Sequence, residues 1–385
     1  MDDAQTKKLE EQYKLSTSEL DHFGKPVAEN EVFRLNRQAK PVIIFTGGQS
    51  GSGKSSITSI QLERFNKDIA VIDADRYRNY HPKLKEINDH HSGISSQLTH
   101  QAGAGISNRV RDAAFDKGAN ILFDQTSRTP DGIKIIGDRA KAKDIPYDVE
   151  LHVIATDLDT SRMRVHGRYE NGGGAPGGGR YVDEDFQKKS YQGVADTVKT
   201  VEDEKAVDRI VIYNRQGKQI YDNSLKNGEW LNKPKAHEAL VNERDRELSI
   251  LEKKELAQGW QRIKFQMDQR QARINEPNIV KIAQEGMQKA TDRHGLQIKD
   301  AEIVKAGRTY SGEIKAESND NILQQKNNGS AFIHPKSSLN NLTDADMGKT
   351  IKISYDQELK GSLLSKEGKS NDSKKEIKSD HSMDR

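Results

Sequence analysis

At 385 residues the chain has room for a full-size catalytic domain and a smaller one, taking roughly 100–200 residues per domain. Only 33% of it is hydrophobic and 31% is charged, so parts of it are expected to lie outside any packed core. The near balance of 62 basic and 59 acidic residues, net +3, argues against a dedicated nucleic-acid or membrane-surface protein, although a local patch stays open. The absence of cysteine excludes disulfides, thiolate metal sites and thiol nucleophiles together. The start, "MDDAQTKKLEEQYK", is charged throughout and no apolar stretch reaches membrane-spanning length, which makes a cytoplasmic protein without membrane contact the expectation.

Residues 1–40 read as a polar helical segment. "TKKLEEQYKLSTSELDHFG" sets Leu9, Tyr13 and Leu20 among charges, and Gly24-Lys25-Pro26 predicts the end of the helix. From Pro41 short apolar runs alternate with longer amphipathic segments. The runs are Val42–Thr46, Ile69–Asp73, Asn120–Phe123, Val149–Ala155 and Arg209–Tyr213, the pattern of βαβ units around a buried, mostly parallel sheet. "YNRQGKQIYD" then predicts a turn at Gln216-Gly217 and one further strand.

The first run leads into Gly48-Gln49-Ser50-Gly51-Ser52-Gly53-Lys54-Ser55, followed by Ser56 and a predicted helix. This fits G-x-x-x-x-G-K-[ST] in the strand–loop–helix setting that the motif requires. Glycines let the backbone turn tightly and aim N–H groups at a phosphate, and the helix start adds positive partial charge. Lys54 is placed to reach the β/γ-phosphates and the Ser55 hydroxyl to ligate Mg²⁺. The pattern is strong for nucleoside triphosphate binding, with ATP or GTP and Mg²⁺ as expected cofactors, and weak for the reaction performed.

Ligands of parallel sheets gather beyond the carboxyl ends of the strands. There the second run delivers Asp73 and Asp75 in "VIDADRYRNYHP". Asp75 could take a proton from a substrate hydroxyl, a function typically worth ~10²–10⁴-fold, while Asp73 is as readily a helix cap or a Mg²⁺ neighbour. The third run delivers Asp124, Thr126 and Arg128 in "ILFDQTSRTPDG". After the fourth, "TSRMRVHGRYENGGGAPGGGRYVDEDF" aligns Arg164 and Arg168 at helical spacing and sets Arg180 beyond a glycine-rich stretch. Such arginines can close over a transferring phosphoryl group, for ~10³–10⁵ in rate, or flank a flexible linker.

Beyond Asn223 the composition shifts. Residues 235–295 read as a charged helical extension with a thin apolar stripe of Leu240, Leu248, Leu251 and Ile263, the mark of a helix lying on a neighbour. Residues 301–360, with "TYSGEIKAES", "SAFIHPKS" and "TIKISYDQ", predict a small β module. Residues 361–385 are too polar to fold and read as a disordered tail. The fold class expected is α/β, a P-loop NTPase-type mostly parallel sheet flanked by helices, followed by a helical extension and the β module.

The ordered series "GGQSGSGKSS", "VIDADRYRNYHP", "ILFDQTSRT" and "RYE…GGRYV", closed by "IYNRQGKQIY", resembles the zeta toxins over about residues 41–225. Those are the kinases of epsilon/zeta-type toxin–antitoxin modules, which phosphorylate a hydroxyl of UDP-N-acetylglucosamine. The resemblance implies that Lys54 and Ser55, with the rest of Gly48 to Ser56, bind ATP phosphates and Mg²⁺. It makes Asp75 the catalytic base and Arg168 and Arg180 the phosphate-clamping arginines. Asp112, in "SNRVRDAAFDKG", falls where the family has a glutamate that contacts the amino sugar. Asp124 likewise replaces a glutamate, while Thr126 and Arg128 match the substrate-side T-x-R. Both carboxylates are one methylene shorter than in the family, so sugar selectivity is where this chain departs from it.

The resemblance also implies diversion of a cell-wall precursor and a small helical antitoxin that blocks the nucleotide site, with residues 5–21 as a contact surface or simply a solvated helix. The stretch near 303–358 resembles the KfrB-type module of plasmid-encoded proteins. Left open are another nucleotide-sugar or NAD-like acceptor, a nucleotide-hydrolysing switch, and a plasmid-maintenance protein whose C-terminal region binds nucleic acid.

Overall fold

The five apolar runs are all strands, because a parallel strand covered on both faces must be apolar almost continuously. The computed structural model describes residues 3–91, 94–172, 182–269, 281, 285–286, 300–318, 320–339 and 342–367. Two units are distinguished: Met1–Arg246 with Gly259–Gly286, and Glu247–Gln258 with Met287–Arg385.

The first unit begins with α1 (Asp3–Tyr13), α2 (Thr17–Val32), β1 (Val42–Gly47), α3 (Ser55–Arg64), β2 (Ala70–Ile72), α4 (Ala74–Tyr77), α5 (Leu84–His91), α6 (Ser95–Leu98) and α7 (His100–Lys117). It continues with β3 (Ile121–Phe123), α8 (Asp131–Lys141), β4 (Asp148–Ala155), α9 (Leu158–Asn171), α10 (Glu184–Asp203), β5 (Arg209–Asn214), β6 (Gln219–Lys226), β7 (Glu229–Trp230) and α11 (Ala236–Asp245). The sheet order is β2-β3-β1-β4-β5-β6-β7. β2, β3, β1, β4 and β5 are parallel, and β6 and β7 complete the sheet as antiparallel strands. The predicted hairpin is present, with Gly217 at φ +80° in its turn. Chain order reverses at β1, whose neighbours are β3 and β4, so the crevice for a ligand opens at the carboxyl end of β1.

The N-terminal segment departs from the sequence expectation. Its helix does not end at Gly24-Lys25-Pro26; the break comes at residues 14–16, where Ser16 and Glu19 form a reciprocal capping box. α2 then runs through Gly24 and Pro26. A proline inside a helix costs ~3 kcal/mol, but Val27, Ala28 and Val32 enter the main core, and each fully buried valine returns ~1.5–3 kcal/mol. At Gly24 an added Cβ would stand 2.6 Å from Arg109 Cδ of α7, so this glycine serves close helix packing. Residues 1–40 are therefore part of the first unit. Tyr13, Leu15 and Leu20 are buried, and the Tyr13 hydroxyl donates to Glu86 at 2.8 Å, so this is not merely a solvated helix.

The helical extension over residues 235–295 is not one element. α11 belongs to the first unit, with Ala236 and Leu240 in its main core. In α12 (Ile250–Gln269), residues 250–258 are grouped with the second unit and 259–269 with the first. The apolar stripe read as one surface thus serves two cores: Leu240 one, and Leu251 that of the second unit.

The β module of the second unit has β8 (Glu302–Ile303), β9 (Thr309–Glu317), β10 (Asn321–Gln325), β11 (Ala331–Pro335), β12 (Thr350–Tyr355) and β13 (Gly361–Glu367), ordered β13-β12-β9-β10-β11-β8. Alternate residues of β9 are buried, and a register shift against β10, where Leu323 faces Ala316 and Gln324 faces Ile314, puts Ala316 in one apolar cluster and Tyr310 and Ile314 in the other. β13 corrects the tail. Residues 361–367, assigned to it on polarity, pair with β12, whose backbone supplies the hydrogen bonds that polar side chains do not forbid; residues 368–385 lie outside the described residues.

Candidate active site

The phosphate loop leaves β1 and enters α3, with Gly48, Gly51 and Gly53 at φ +148°, +77° and +101°. At Gly51 a Cβ would lie 2.3 Å from the Ser161 carbonyl oxygen, so both conformation and space demand glycine there. Neighbouring elements hold the loop from outside. The Gly48 N–H donates to the Thr126 carbonyl at 3.0 Å. The Ser52 carbonyl accepts from Thr156 Oγ1 at 2.8 Å and Arg164 at 3.2 Å, and the Ser50 carbonyl accepts from Gln187 at 3.3 Å. Gln49 is fully buried.

The Lys54 ammonium donates to the carbonyl of Gly48 at 2.8 Å and that of Gln49 at 3.4 Å. Desolvation pushes its pKa down, opposed chiefly by Asp124 and further by Asp75 and Asp73, while Arg168 adds to the depression. Asp124, at the end of β3, accepts from Thr58 Oγ1 at 3.3 Å. Burial raises its pKa; Lys54 opposes that, and Asp73 and Asp75 reinforce it.

Asp73 caps α4 by accepting the Asp75 N–H at 2.9 Å, which is the structural alternative that the sequence left open for it. Asp75 sits in the first turn of α4 with its carboxylate largely exposed, 2.7 Å from the Arg78 guanidinium. Thr126 is half-buried and Arg128 exposed, the latter 5.2 Å from the Phe186 ring centroid. Between them, buried Ser127 takes φ +50° and donates to the Thr46 carbonyl at 2.7 Å. A non-glycine residue there costs of order 1–3 kcal/mol, held by this clip to β1. Ser55 is exposed at the start of α3, Ser56 Oγ donates to the Gly53 carbonyl at 2.9 Å, and Arg168 is exposed on α9. Arg180 lies outside the described residues.

Asp112 is not brought to this site. It lies nine positions beyond Gly103, the α7 residue that abuts the Ala74 carbonyl, hence ~13 Å farther along the helix axis at ~1.5 Å per residue. It is paired there with Arg111 at 2.9 Å and with Arg139, in the last turn of α8, at 3.3 Å. A helix running back from the site edge carries its distal turns away from that edge, which short-range motif matching does not register.

Sequence reasoning missed Thr58, Thr156 and Gln187. Thr58 is readable in principle, one turn into the helix that follows the loop, and Thr156 directly follows a predicted strand; Gln187 carries no local signal. Among the described residues no group of three or more His, Asp or Glu side chains is placed to hold a metal ion, and no helix is long and apolar enough to cross a membrane.

Sheet order, reversal at β1 and the glycine-built loop define the first unit as a phosphate-loop α/β fold. The zeta toxin family model matches residues 28–226, more than half of the 385, and the chain belongs to that family. A second model, the KfrB domain, matches residues 309–363. The chain is 28% identical to Toxin PezT of Streptococcus pneumoniae serotype 4 over 188 residues, 48% of this chain and 72% of that protein. It is 28% identical to Toxin zeta of Streptococcus agalactiae over 211 residues, 50% and 68% of the two. A solved chain from the PezAT chromosomal toxin–antitoxin system of Streptococcus pneumoniae superposes with a TM-score of 0.57 at 26% identity, covering 66% of this chain and 98% of that one.

Proposed function

We propose that the first unit is an ATP- and Mg²⁺-dependent kinase that phosphorylates a hydroxyl of UDP-N-acetylglucosamine, and that the protein is the toxin of a toxin–antitoxin pair. The observation that carries this reading is the positive-φ glycine loop between β1 and α3, with Lys54 turned onto the Gly48 and Gln49 carbonyls and Asp75 and Asp124 delivered just beyond β2 and β3. The loop fits a phosphate: Gly48, Gly51 and Gly53 take positive φ, which lets a backbone turn its N–H groups inward, and the loop precedes the ten-residue helix α3, whose N-terminal N–H groups favour an anion. Bound ATP would supply the transferable phosphoryl group, with Mg²⁺ neutralising its charge from the Ser55 hydroxyl and phosphate oxygens.

Each residue then has a task. Lys54 releases the loop carbonyls and neutralises phosphate charge, and Arg168 adds a second cation from α9. Asp75 takes the proton of the acceptor hydroxyl, with Arg78 fixing the direction of its carboxylate. Thr126 and Arg128, on the loop that Ser127 clips to β1, face the acceptor side. Asp124 stands between Lys54 and Thr58. Asp112 has no part in this assignment.

The test is ADP release by the full chain with ATP and Mg²⁺, with and without UDP-N-acetylglucosamine, and mass spectrometry of the sugar nucleotide. A sugar-dependent rate with one added phosphate mass, lost in Lys54→Ala and Asp75→Ala while the thermal midpoint holds, is expected. Full activity in either variant, or ADP release indifferent to every nucleotide sugar and to NAD, overturns the reading. The antitoxin is expected to abolish nucleotide binding when co-expressed; unchanged ATP affinity in the complex would contradict that.

A further inference from the structure

α11 lies beyond the residues that the zeta toxin model matches, yet it delivers a buried cation to the phosphate loop. Arg244, 4% exposed, donates to the Tyr191 carbonyl at 2.8 Å and to Gln49 Oε1 at 3.2 Å. Its guanidinium also stacks 4.3 Å from the Tyr191 ring centroid. On the other side of the same amide, Gln49 Nε2 donates to the Thr156 carbonyl at 2.8 Å and Ser161 Oγ at 3.1 Å. Gln49 is thus held by β4 and α9 through its nitrogen and by α11 through its oxygen. We propose that Arg244 is a positioning residue for the phosphate loop, so that α11 is part of the nucleotide-binding machinery. The proposal rests on the reading of that loop as a nucleotide site.

The physical case has three parts. First, α11 is a rigid platform: the N–H groups of Ala236 and His237 donate to the Glu202 carboxylate of α10 at 2.8 and 3.3 Å, and Ala236 and Leu240 are fully buried. Second, the arginine itself is costly to place. Burial pulls its pKa down to about 10, and Nε has no hydrogen-bond partner, so a cation sits here against its own desolvation. Packing alone would be met more cheaply by an apolar side chain. Third, Gln49 adjoins Gly48 and lies two residues before Gly51, and its own carbonyl is one of the two that receive Lys54. Losing Arg244 would leave a buried amide oxygen without a donor, and the amide escapes that state by turning, which moves the loop. Loop N–H groups that are no longer aimed at one point bind phosphate less well.

The test is titration calorimetry of MgATP on the full chain, with KM for nucleotide and acceptor where turnover is measured. Arg244→Met, which keeps the stem and removes the fork, is expected to weaken MgATP binding about tenfold. Arg244→Lys, which keeps a cation that cannot reach both partners, is expected to weaken it about threefold, with acceptor KM within twofold of wild type in both. Gln49→Met should weaken MgATP similarly, and R244M added to it should cost nothing further. Glu202→Gln loosens the α11 anchor but keeps the Arg244 fork; it should lower the thermal midpoint and weaken MgATP binding less than R244M does.

Unchanged MgATP affinity in R244M overturns the proposal, as do additive effects of Q49M and R244M. A Glu202→Gln protein that loses more affinity than R244M shows that the placement of the helix, not the guanidinium, carries the effect and also overturns it. Should R244M not fold, R244K decides alone, an unchanged affinity counting against. Nucleotide affinity is read without any acceptor, so failure of the kinase reading, with ATP bound but nothing phosphorylated, remains distinguishable.

Discussion

Each of the two sheets buries a histidine stacked on a tyrosine, and the two pairs are completed differently. In the first unit His152 of β4 stacks on Tyr213 of β5 with planes at 26° and Nδ1 3.1 Å from the hydroxyl. In the second unit His334 of β11 stacks on Tyr355 of β12 with planes at 25° and Nδ1 2.9 Å from the hydroxyl. His152 Nε2 meets Glu150 at 2.7 Å, and Glu150 takes a bidentate grip from Arg64 at 2.6 and 2.9 Å. His334 Nε2 has no hydrogen-bond partner. Buried alike, one imidazole belongs to a charge-balanced network and the other ends in an unsatisfied nitrogen. The first arrangement depends on its carboxylate and the second on the histidine staying neutral.

The most disruptive way to break this comparison is Glu150→Leu. The carboxylate is held well below its ordinary range against burial, chiefly by Arg64 and His152, and it ties the C-terminal end of α3 to β4. Removing it strands Arg64 and the His152 N–H, and loss of one partner from a buried pair costs ~3–5 kcal/mol. The expected result is a loss of about 4 kcal/mol in urea unfolding followed by tryptophan fluorescence, since Trp230 and Trp260 both belong to the first unit. A loss below about 1 kcal/mol would show that the network contributes little.

Acid tests the second pair. Burial pushes His334 from its ordinary 6.5 down to about 4, so the folded module keeps it neutral while the unfolded chain takes up a proton below about pH 6.5. Stability from this residue is therefore complete above pH 6.5 and is lost as pH falls toward 4, by about 3 kcal/mol at ~1.4 kcal/mol per unit. Amide exchange of peptides from residues 309–363, corrected for intrinsic rate, should show faster opening at pH 5 than at pH 7.5. His334→Phe should flatten that dependence; an equal slope in H334F would remove His334 as its source.

What could be read in advance follows the range of the interactions. The phosphate loop was legible because its requirements, glycine at positive φ and a lysine and serine at fixed offsets, fall within eight successive residues. The strands were legible because covering both faces removes polar positions. α2 was misread because its local breakers, Gly24 and Pro26, are overruled by burial against α7, and the stripe after residue 235 because two cores share it. Gln49 gave no hint of its partner, since Arg244 is 195 residues away in a helix with several charged residues, none of which local spacing singles out. Asp112 failed for a related reason: a motif fixes spacing along the chain, whereas its place along α7 depends on where that helix starts against the sheet.

The finest discrimination between the two pairs comes from their tyrosine hydroxyls. Tyr355→Phe leaves His334 buried with neither nitrogen hydrogen-bonded, and a buried polar group without a partner costs ~1–3 kcal/mol. Tyr213→Phe leaves His152 with Glu150 on one nitrogen and the Gln61 amide 3.3 Å from the other, so a substitute is already in place. The expected losses are about 2 kcal/mol for Y355F, read by exchange in residues 309–363, and about 0.5 kcal/mol for Y213F, read by tryptophan fluorescence. Equal losses would mean that Gln61 does not take over, and the contrast would then rest on the carboxylate alone. A smaller loss for Y355F than for Y213F would reverse it, because the Tyr355 hydroxyl would then do nothing for His334, and Tyr355 would be there for its ring.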